Sequence, residues 1–280
     1  MGTKINALEQ VGALAPSDCL VIDTGSATKR APVSVLIAAN AGAHNSIYRG
    51  KYLGNAVTAA QYASINAGTF DDIFIGDYWT INGVNWRVAA LDYYLHYGDT
   101  ECTKHHVVVV PDTCLVNAQM NSTNIVTGAY VGSDYYTGAN GNTGREDAGN
   151  IIKAAFGNDH ILAHRIVLQN AVPEGKGYTG VWGGWYDAHP ADLMSEEMVY
   201  GCKEFKNEVA GENLAGNYTV DHGQLPLFRH DHSRICNRAH WWLREVANPT
   251  NFSRVGWSGH CDCGAASRSI GVRPASAICA

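Results

Sequence analysis

Charge is scarce in this sequence. Charged residues fill 16% of its 280 positions, against about 25% in an average globular chain. The formal net charge of -6 comes with no extended basic stripe, which argues against nucleic acid as a partner. Long apolar runs are missing as well. The longest uncharged ones, Val33–Ala39 and Val107–Val110, are far too short to cross a bilayer, so no membrane partner is expected. The opening Met-Gly-Thr-Lys-Ile-Asn-Ala-Leu lacks the apolar core of a secretory signal, which predicts synthesis in the cytosol without export by the usual route. Cysteines are present but without regular spacing: Cys19, Cys102, Cys114, Cys202, Cys236, Cys261, Cys263 and Cys279. A chain of this length needs no disulfide framework, so free and mostly buried thiols are expected. No repeat of solenoid period and no low-complexity tract is visible.

What the sequence does have is apolar and aromatic material cut up by turns. Hydrophobic residues make up 46%, with 30 Gly, 14 Tyr and 7 Trp. That mixture suits a loop-rich fold in which large rings fill irregular space, and it is not the composition of a disordered chain. Three textures divide the chain. In residues 1–45, Leu20–Asp23 is followed by a turn at Thr24-Gly25-Ser26 and the apolar run Val33–Ala39. A hairpin of two short strands is barely stable alone. It either needs a partner surface or an oligomer, or it is the leading hairpin of the main domain. Residues 46–68 read as a glycine-punctuated connector running into a short helix near Ala59–Ile65.

Residues 69–280 carry the core. Ile73–Ile75, Tyr78–Ile81 and Val84–Leu91 are strand-like, the last two joined at Asn82-Gly83, a strong hairpin dipeptide. His105–Val110 predicts a buried strand ended by Pro111. Helical spacing of Ile151, Ile152, Ala155 and Phe156 predicts a helix over Arg145–Phe156, with Thr143 and Glu146 as a capping box and Gly157 as the stop. A second helix is predicted over Ala191–Tyr200, with Leu193, Met194 and Met198 on one side. Beyond Phe228 the pattern breaks into short strands and long loops. The sum is an α+β fold with two helices and small antiparallel sheets.

Catalytic signatures are absent. No G-x-S-x-G, P-loop or nucleotide fingerprint occurs, and no cofactor is expected. The adjacent pairs Asp71/Asp72 and Glu196/Glu197 look exposed, unlike the spaced carboxylates of a glycosidase. His230, His232, Cys261 and Cys263 offer His-x-His and Cys-x-Cys spacings that suit a closed tetrahedral zinc site poorly, so no metal is expected. His105-His106 and His160/His164 read as strand or helix-end histidines; no Glu completes a His-Glu-x-x-His pattern.

Three sets of residues resemble virion proteins of bacterial viruses. Ile5-Asn6-Ala7-Leu8, Asp18-Cys19-Leu20-Val21-Ile22-Asp23 and Ser26-Ala27-Thr28-Lys29-Arg30-Ala31-Pro32-Val33 are similar to the N-terminal segment of phage tail fibre and tail-tip proteins. Trp241-Trp242-Leu243-Arg244, Phe252, Val255 and Gly271-Val272-Arg273-Pro274-Ala275 resemble the closing element of phage-encoded C-type-lectin-like domains. The run Gly68–Trp79, with Ala155-Phe156-Gly157, Leu193-Met194, Met198-Val199-Tyr200-Gly201 and Gln224-Leu225-Pro226-Leu227-Phe228, resembles a domain of tail proteins from phages of gut bacteria. The tryptophan frame is also similar to the formylglycine-generating enzymes and to variable proteins of the major tropism determinant type, which a retroelement diversifies. Mutated template codons of those proteins cannot encode Lys, Gln, Glu, Met or Trp. From Arg229 onward the chain has seven Arg but no Lys, Gln or Met, and a single Glu, Glu245. Trp257 lies outside that codon set, so it is either scaffold or a point against diversification.

The resemblance implies a virion-attachment and oligomerisation segment (1–45) and a C-type-lectin-like ligand-binding domain (69–280), assembled as a homotrimer in the tail with other tail proteins. Its ligand would be a bacterial surface glycan or protein, and its action binding without catalysis. The alternatives are a structural tail or capsid decoration protein, or a tail-borne depolymerase or oxidase-like enzyme. The ligand contacts are expected in the loop Asn248–Arg268 and just before the frame: Arg238, His240, Asn248, Asn251, Ser253, Arg254, Trp257, Ser258, His260, Asp262 and Arg268. Arg, Trp and His supply concentrated binding energy, and the small polar residues adapt hydrogen bonds. Trp241, Trp242, Leu243, Arg244, Gly271, Arg273 and Pro274 are expected as scaffold, with Arg273 paired inside the fold.

Overall fold

Turn chemistry and apolar alternation build the first sheet of this computed structural model, which describes residues 19–23, 28–32, 41–171, 182–202 and 223–280. In chain order the strands are β1 (Cys19–Asp23), β2 (Thr28–Pro32), β3 (Tyr52–Gly54), β4 (Tyr78–Ile81), β5 (Val84–Leu91), β6 (Val107–Pro111), β7 (Val116–Ala118), β8 (Arg165–Ala171), β9 (Trp182–Asp187), β10 (Trp241–Asn248), β11 (Asn251–Val255), β12 (Cys261–Ala265), β13 (Ile270–Val272) and β14 (Ser276–Ile278). Asn82 and Gly83 both take positive φ, 52° and 80°, the left-handed pair that a tight hairpin requires. They reverse the chain so that β4 and β5 pair in register from Ile81↔Val84 to Tyr78↔Arg87. β6, valine at four successive positions and buried throughout, then lies along β5.

The architecture is α+β. One five-stranded sheet has the order β14-β6-β5-β4-β3 and the other β12-β11-β10-β13-β7, with two separate hairpins, β1–β2 and β8–β9. Among the described residues the helices of eight residues or more are Ala59–Asn66 and Gly144–Phe156. The first is opened by a capping box in which Thr58 accepts from the Gln61 amide and Gln61 returns the bond. The second ends, as its glycine predicts, at Gly157 with φ 89°. A single buried cluster draws on both sheets and on the Gly144–Phe156 helix, with Trp79, Trp86, Trp241, Trp242, Phe70 and Phe252 fully enclosed.

Several expectations are corrected. Residues 46–68 are part of the domain: β3 pairs in parallel with β4, and Arg49 grips Asp72 and the buried Asp77. His44 and Asn45 already bond to Ile73 and Leu91. The partner of β1 is Thr28–Pro32, in register Leu20↔Ala31 and Asp23↔Thr28; the run Val33–Ala39, expected in that role, lies outside the described residues, as do Ile5–Leu8. The Thr143–Glu146 capping box does not form. Thr143 donates to Asp147 instead, at 2.6 Å. The second predicted helix shrinks to Glu196–Tyr200, capped by Ser195. Asp192 takes the His189 amide at 2.8 Å, a local side-chain bond that competes with helix formation. The seven described cysteines are unbridged, but only Cys102 and Cys279 are buried.

The closing strands lock the two sheets together. β6 leads into β7, which belongs to the other sheet, and β13 leads back into β14, which pairs with β6. Arg273 stands at this double crossover. Its Nε donates to the Pro111 carbonyl and its Nη1 to that of Arg234, both at 2.8 Å, while its guanidinium faces the rings of Trp241 and Phe228 at 5.1 and 5.7 Å. It is fully buried, and desolvation pulls its pKa down to about 10. Gly271 is required where β13 meets β10: a Cβ there would sit 2.4 Å from Cys114 Sγ and 2.8 Å from the His240 carbonyl oxygen.

Candidate functional site

The stretch expected to be a variable loop is a β-hairpin. Trp241↔Val255 and Trp242↔Arg254 align β11 on β10, and Arg254↔Asp262 aligns the edge strand β12 on β11. A turn at Gly256–His260 joins the two outer strands, closed by bonds from the Gly256 amide to the His260 carbonyl and from the Gly259 amide to Gly256, each 2.8 Å. Successive strand residues face opposite sides, so this register sorts the expected contact residues into two sets.

On the Trp242 side lie Arg254 and Asp262, with His240 two residues before Trp242. Arg254 donates to Asp262 through Nε and Nη2, at 3.1 and 2.6 Å. Burial pushes the Asp262 carboxyl up, but Arg254 and the Cys263 amide outweigh it and hold it below the usual carboxylate range. His260 Nε2 stands 3.9 Å from Asp262, and its Nδ1 is 2.8 Å from the Ser258 hydroxyl. His240 is half-buried; desolvation, then the charges of Arg254, Arg268 and His260, pull its imidazole pKa below its ordinary value. Trp257, 51% exposed, projects from the turn with the Arg238 guanidinium 5.2 Å from its ring. Arg238, Ser258 and Arg268 are solvent-facing.

The remaining three residues are elsewhere. Asn248 and Asn251 turn to Cys263, with amide–sulfur distances of 4.0 and 3.6 Å. Ser253 is fully enclosed, its hydroxyl 3.8 Å from Cys261 Sγ. The expectation that Ser253 meets a ligand is corrected: β11 is buried on both sides from Phe252 to Val255. Arg254, only 9% exposed, is a floor under the face and not a tip.

No family model, curated protein or solved structure matches this chain. The site has to be judged by its own chemistry.

Beneath the face, the residues expected as scaffold are enclosed. Trp241, Trp242 and Leu243 are wholly buried, Arg244 and Arg273 nearly so, and Gly271 and Pro274 are enclosed. Trp242 donates Nε1–H to the Ala118 carbonyl at 2.9 Å and stacks edge-on against Phe252. Two braces escaped the sequence reading. Tyr200 donates to the Gly259 carbonyl at 3.2 Å, and Cys236 Sγ lies 3.3 Å from the Trp257 carbonyl. Both join the turn across long separations, for which one sequence carries no local signal.

Among the described residues no three His, Cys, Asp or Glu side chains are grouped to hold an ion, and no helix is long and apolar enough to cross a membrane. A second concavity, a groove of about 280 Å³, is lined by Glu101, Cys102, His164, Arg165, Asp187 and Ala188 among others. Burial raises the Cys102 thiol pKa, which keeps it protonated and a poor nucleophile. Arg165 is already tied to Asp99 and Asp187. Glu196, expected at the surface, is fully buried, and its amide bonds to Glu245 at 3.1 Å. His106 is locked neutral: Nε2 accepts the Tyr94 amide, Nδ1 faces the Lys104 carbonyl, and burial lowers its pKa to about 4.

Proposed function

We propose that the chain is a receptor-binding protein of a phage or prophage tail, carrying a C-type-lectin-like domain that recognises a bacterial surface ligand without catalysis. The ligand-binding face is the Gly256–His260 turn with Arg238, His240, Arg254, Asp262 and Arg268. The observation that carries this reading is the contrast between layers. The residues of the tryptophan frame are enclosed to the last atom or nearly so, while the turn above them offers an exposed indole and guanidinium groups. Such a build lets surface side chains change without disturbing the core that holds them. The scarcity of Lys, Gln, Glu and Met after Arg229 is in keeping with diversification by a retroelement. A homotrimer on the particle would raise weak single-site binding by roughly 10²–10⁴ through avidity, and the N-terminal segment would attach it to other tail proteins.

The test is binding of the full chain to a panel of gut bacteria, compared with a variant in which Arg238, Trp257, Ser258, His260 and Arg268 are all alanine. Loss of binding with a melting temperature lowered by no more than about 5–10 °C is the expected result. Retained binding would move the site elsewhere, and turnover of host polysaccharide would promote an enzyme.

A further inference from the structure

We propose that the outer edge of β12 is a surface for strand pairing with a second copy of this chain, and that Asp262 holds it shut. The inference does not depend on what the face above binds. β12 ends its sheet, and among the described residues no strand lies on its outer side. Bonds at either end of the β11–β12 ladder fix which backbone groups point outward. The Gly256 amide donates to the His260 carbonyl at 2.8 Å, and the Ala266 amide to the Thr250 carbonyl at 2.9 Å. Between them the register runs without a shift. Bonded and non-bonded pairs alternate in an antiparallel ladder, so Arg254/Asp262 and Phe252/Gly264 are bonded while Ser253/Cys263 and Asn251/Ala265 are not. The N–H and C=O of Cys263 and Ala265 therefore face away from β11. The Ala265 carbonyl accordingly takes the Arg268 amide, at 2.9 Å.

Asp262 covers the middle of this edge with one oxygen and is anchored by the other. Oδ2 accepts from Arg254 Nε and Nη2 at 3.1 and 2.6 Å, and Arg254 is buried enough to hold it in place. Oδ1 accepts the Cys263 amide at 2.7 Å. An arriving strand must bring a carbonyl to that amide, and it meets a carboxylate oxygen already there. A charged side chain turned onto an edge is a device against such pairing. The occupant excluded here is a second copy. Cys263 is the central residue of β12, so a two-fold axis beside it sets the N–H of each copy against the C=O of the other, the self-complementary arrangement of an isologous contact. Gly264 has no side chain and Ala265 only a methyl group, so neither holds a neighbour beyond the spacing of about 4.8 Å between paired strands. An unrelated peptide has no such symmetry to match.

The experiment compares the full chain with Asp262→Asn, Asp262→Ala and the double variant Asp262→Ala/Ala265→Pro, by sedimentation equilibrium and circular dichroism. Asparagine keeps an oxygen for the Cys263 amide, alanine does not, and proline removes the outward N–H of residue 265. Expected is a doubled assembly mass for Asp262→Ala at concentrations below about 100 µM, with Asp262→Asn and the double variant staying at the parent's mass. Oxidised with diamide, the Asp262→Ala copies are joined Cys263 to Cys263, across the Cα separation of about 5.5 Å in a bonded pair, and the parent copies are not. An Asp262→Ala protein that keeps the parent's mass overturns the proposal. So does an Asp262→Asn protein that associates as readily, or a double variant that stays associated. A parent already linked through Cys263 overturns it too, because the edge is then open. Should Asp262→Ala fail to fold, amide exchange in the parent decides. The capped Cys263 amide is expected to exchange at least about tenfold more slowly than that of Ala265, and equal rates overturn the proposal.

Discussion

Frame and face should answer mutation in opposite ways. Trp242 is fully enclosed, packs on Phe252 and donates to the Ala118 carbonyl. Replacing a buried tryptophan by alanine costs about 3–5 kcal/mol, and a carbonyl left without its donor adds about 1 kcal/mol. A domain of this size shifts its melting temperature by about 2–4 °C per kcal/mol, so Trp242→Ala is expected to fall by on the order of 10–15 °C. The five face residues Arg238, Trp257, Ser258, His260 and Arg268 are each exposed. Surface changes of that kind stay within about 0.5 kcal/mol apiece, about 2.5 kcal/mol if all five add, so the five alanines together should move the midpoint by no more than about 5–10 °C. Circular dichroism melts of the two variants beside the parent protein decide the matter. If the five-alanine protein melts as low as Trp242→Ala, the turn is part of the core and the separation of layers is wrong. If Trp242→Ala melts within 2 °C of the parent, the frame does not carry the fold.

Acid should unfold the protein early. Burial lowers the pKa of His106 and of His189 to about 4, so below pH 6.5 the unfolded chain takes up protons that the folded one refuses. Stability from this source is intact above pH 6.5 and drains away as pH falls towards 4, by about 5 kcal/mol for the two together at pH 4.5; urea midpoints that stay flat from pH 7 to 4.5 would count against it. Asp192→Ala should cost about 3–5 kcal/mol, because it strands the mostly buried Arg145 and removes the acceptor of Tyr130 and of the His189 amide; a urea midpoint equal to that of the parent refutes this. Gly271→Ala should destabilise by about 1–3 kcal/mol through overpacking, since the His240 backbone oxygen cannot retreat from the new methyl group; unchanged stability would show that β13 has slack.

The sequence was most legible where the signal is local. Asn82-Gly83, Gly157 and the valine run of β6 set their own turns, stops and burial, and all three stand as expected. Trp241 and Trp242 face opposite sides of one strand, which puts at least one of them in the core; both are enclosed. Failures share a cause: a distant partner overruled the local preference. Asp192, held by Arg145 and Tyr130, broke the predicted helix. β3, docked on β4, turned a connector into sheet. Ser253 looked like a contact residue, but β11 is packed on both sides and Ser253 is fully enclosed. That β10 and β11 are covered on both sides depends on packing between distant segments that no single stretch encodes.

The position of β13 and β14 has a consequence for synthesis. Both strands follow the hairpin in the chain, yet each slots beside strands made much earlier, β7 and β6. A ribosome that stops or slips frame while reading the hairpin therefore releases a product whose Val107–Val110 edge has no cover, a sticky apolar strand of the kind that aggregates or draws proteases. Copies read in frame through the hairpin supply that cover themselves, with β14 laid along β6 from Ser276 to Ile278.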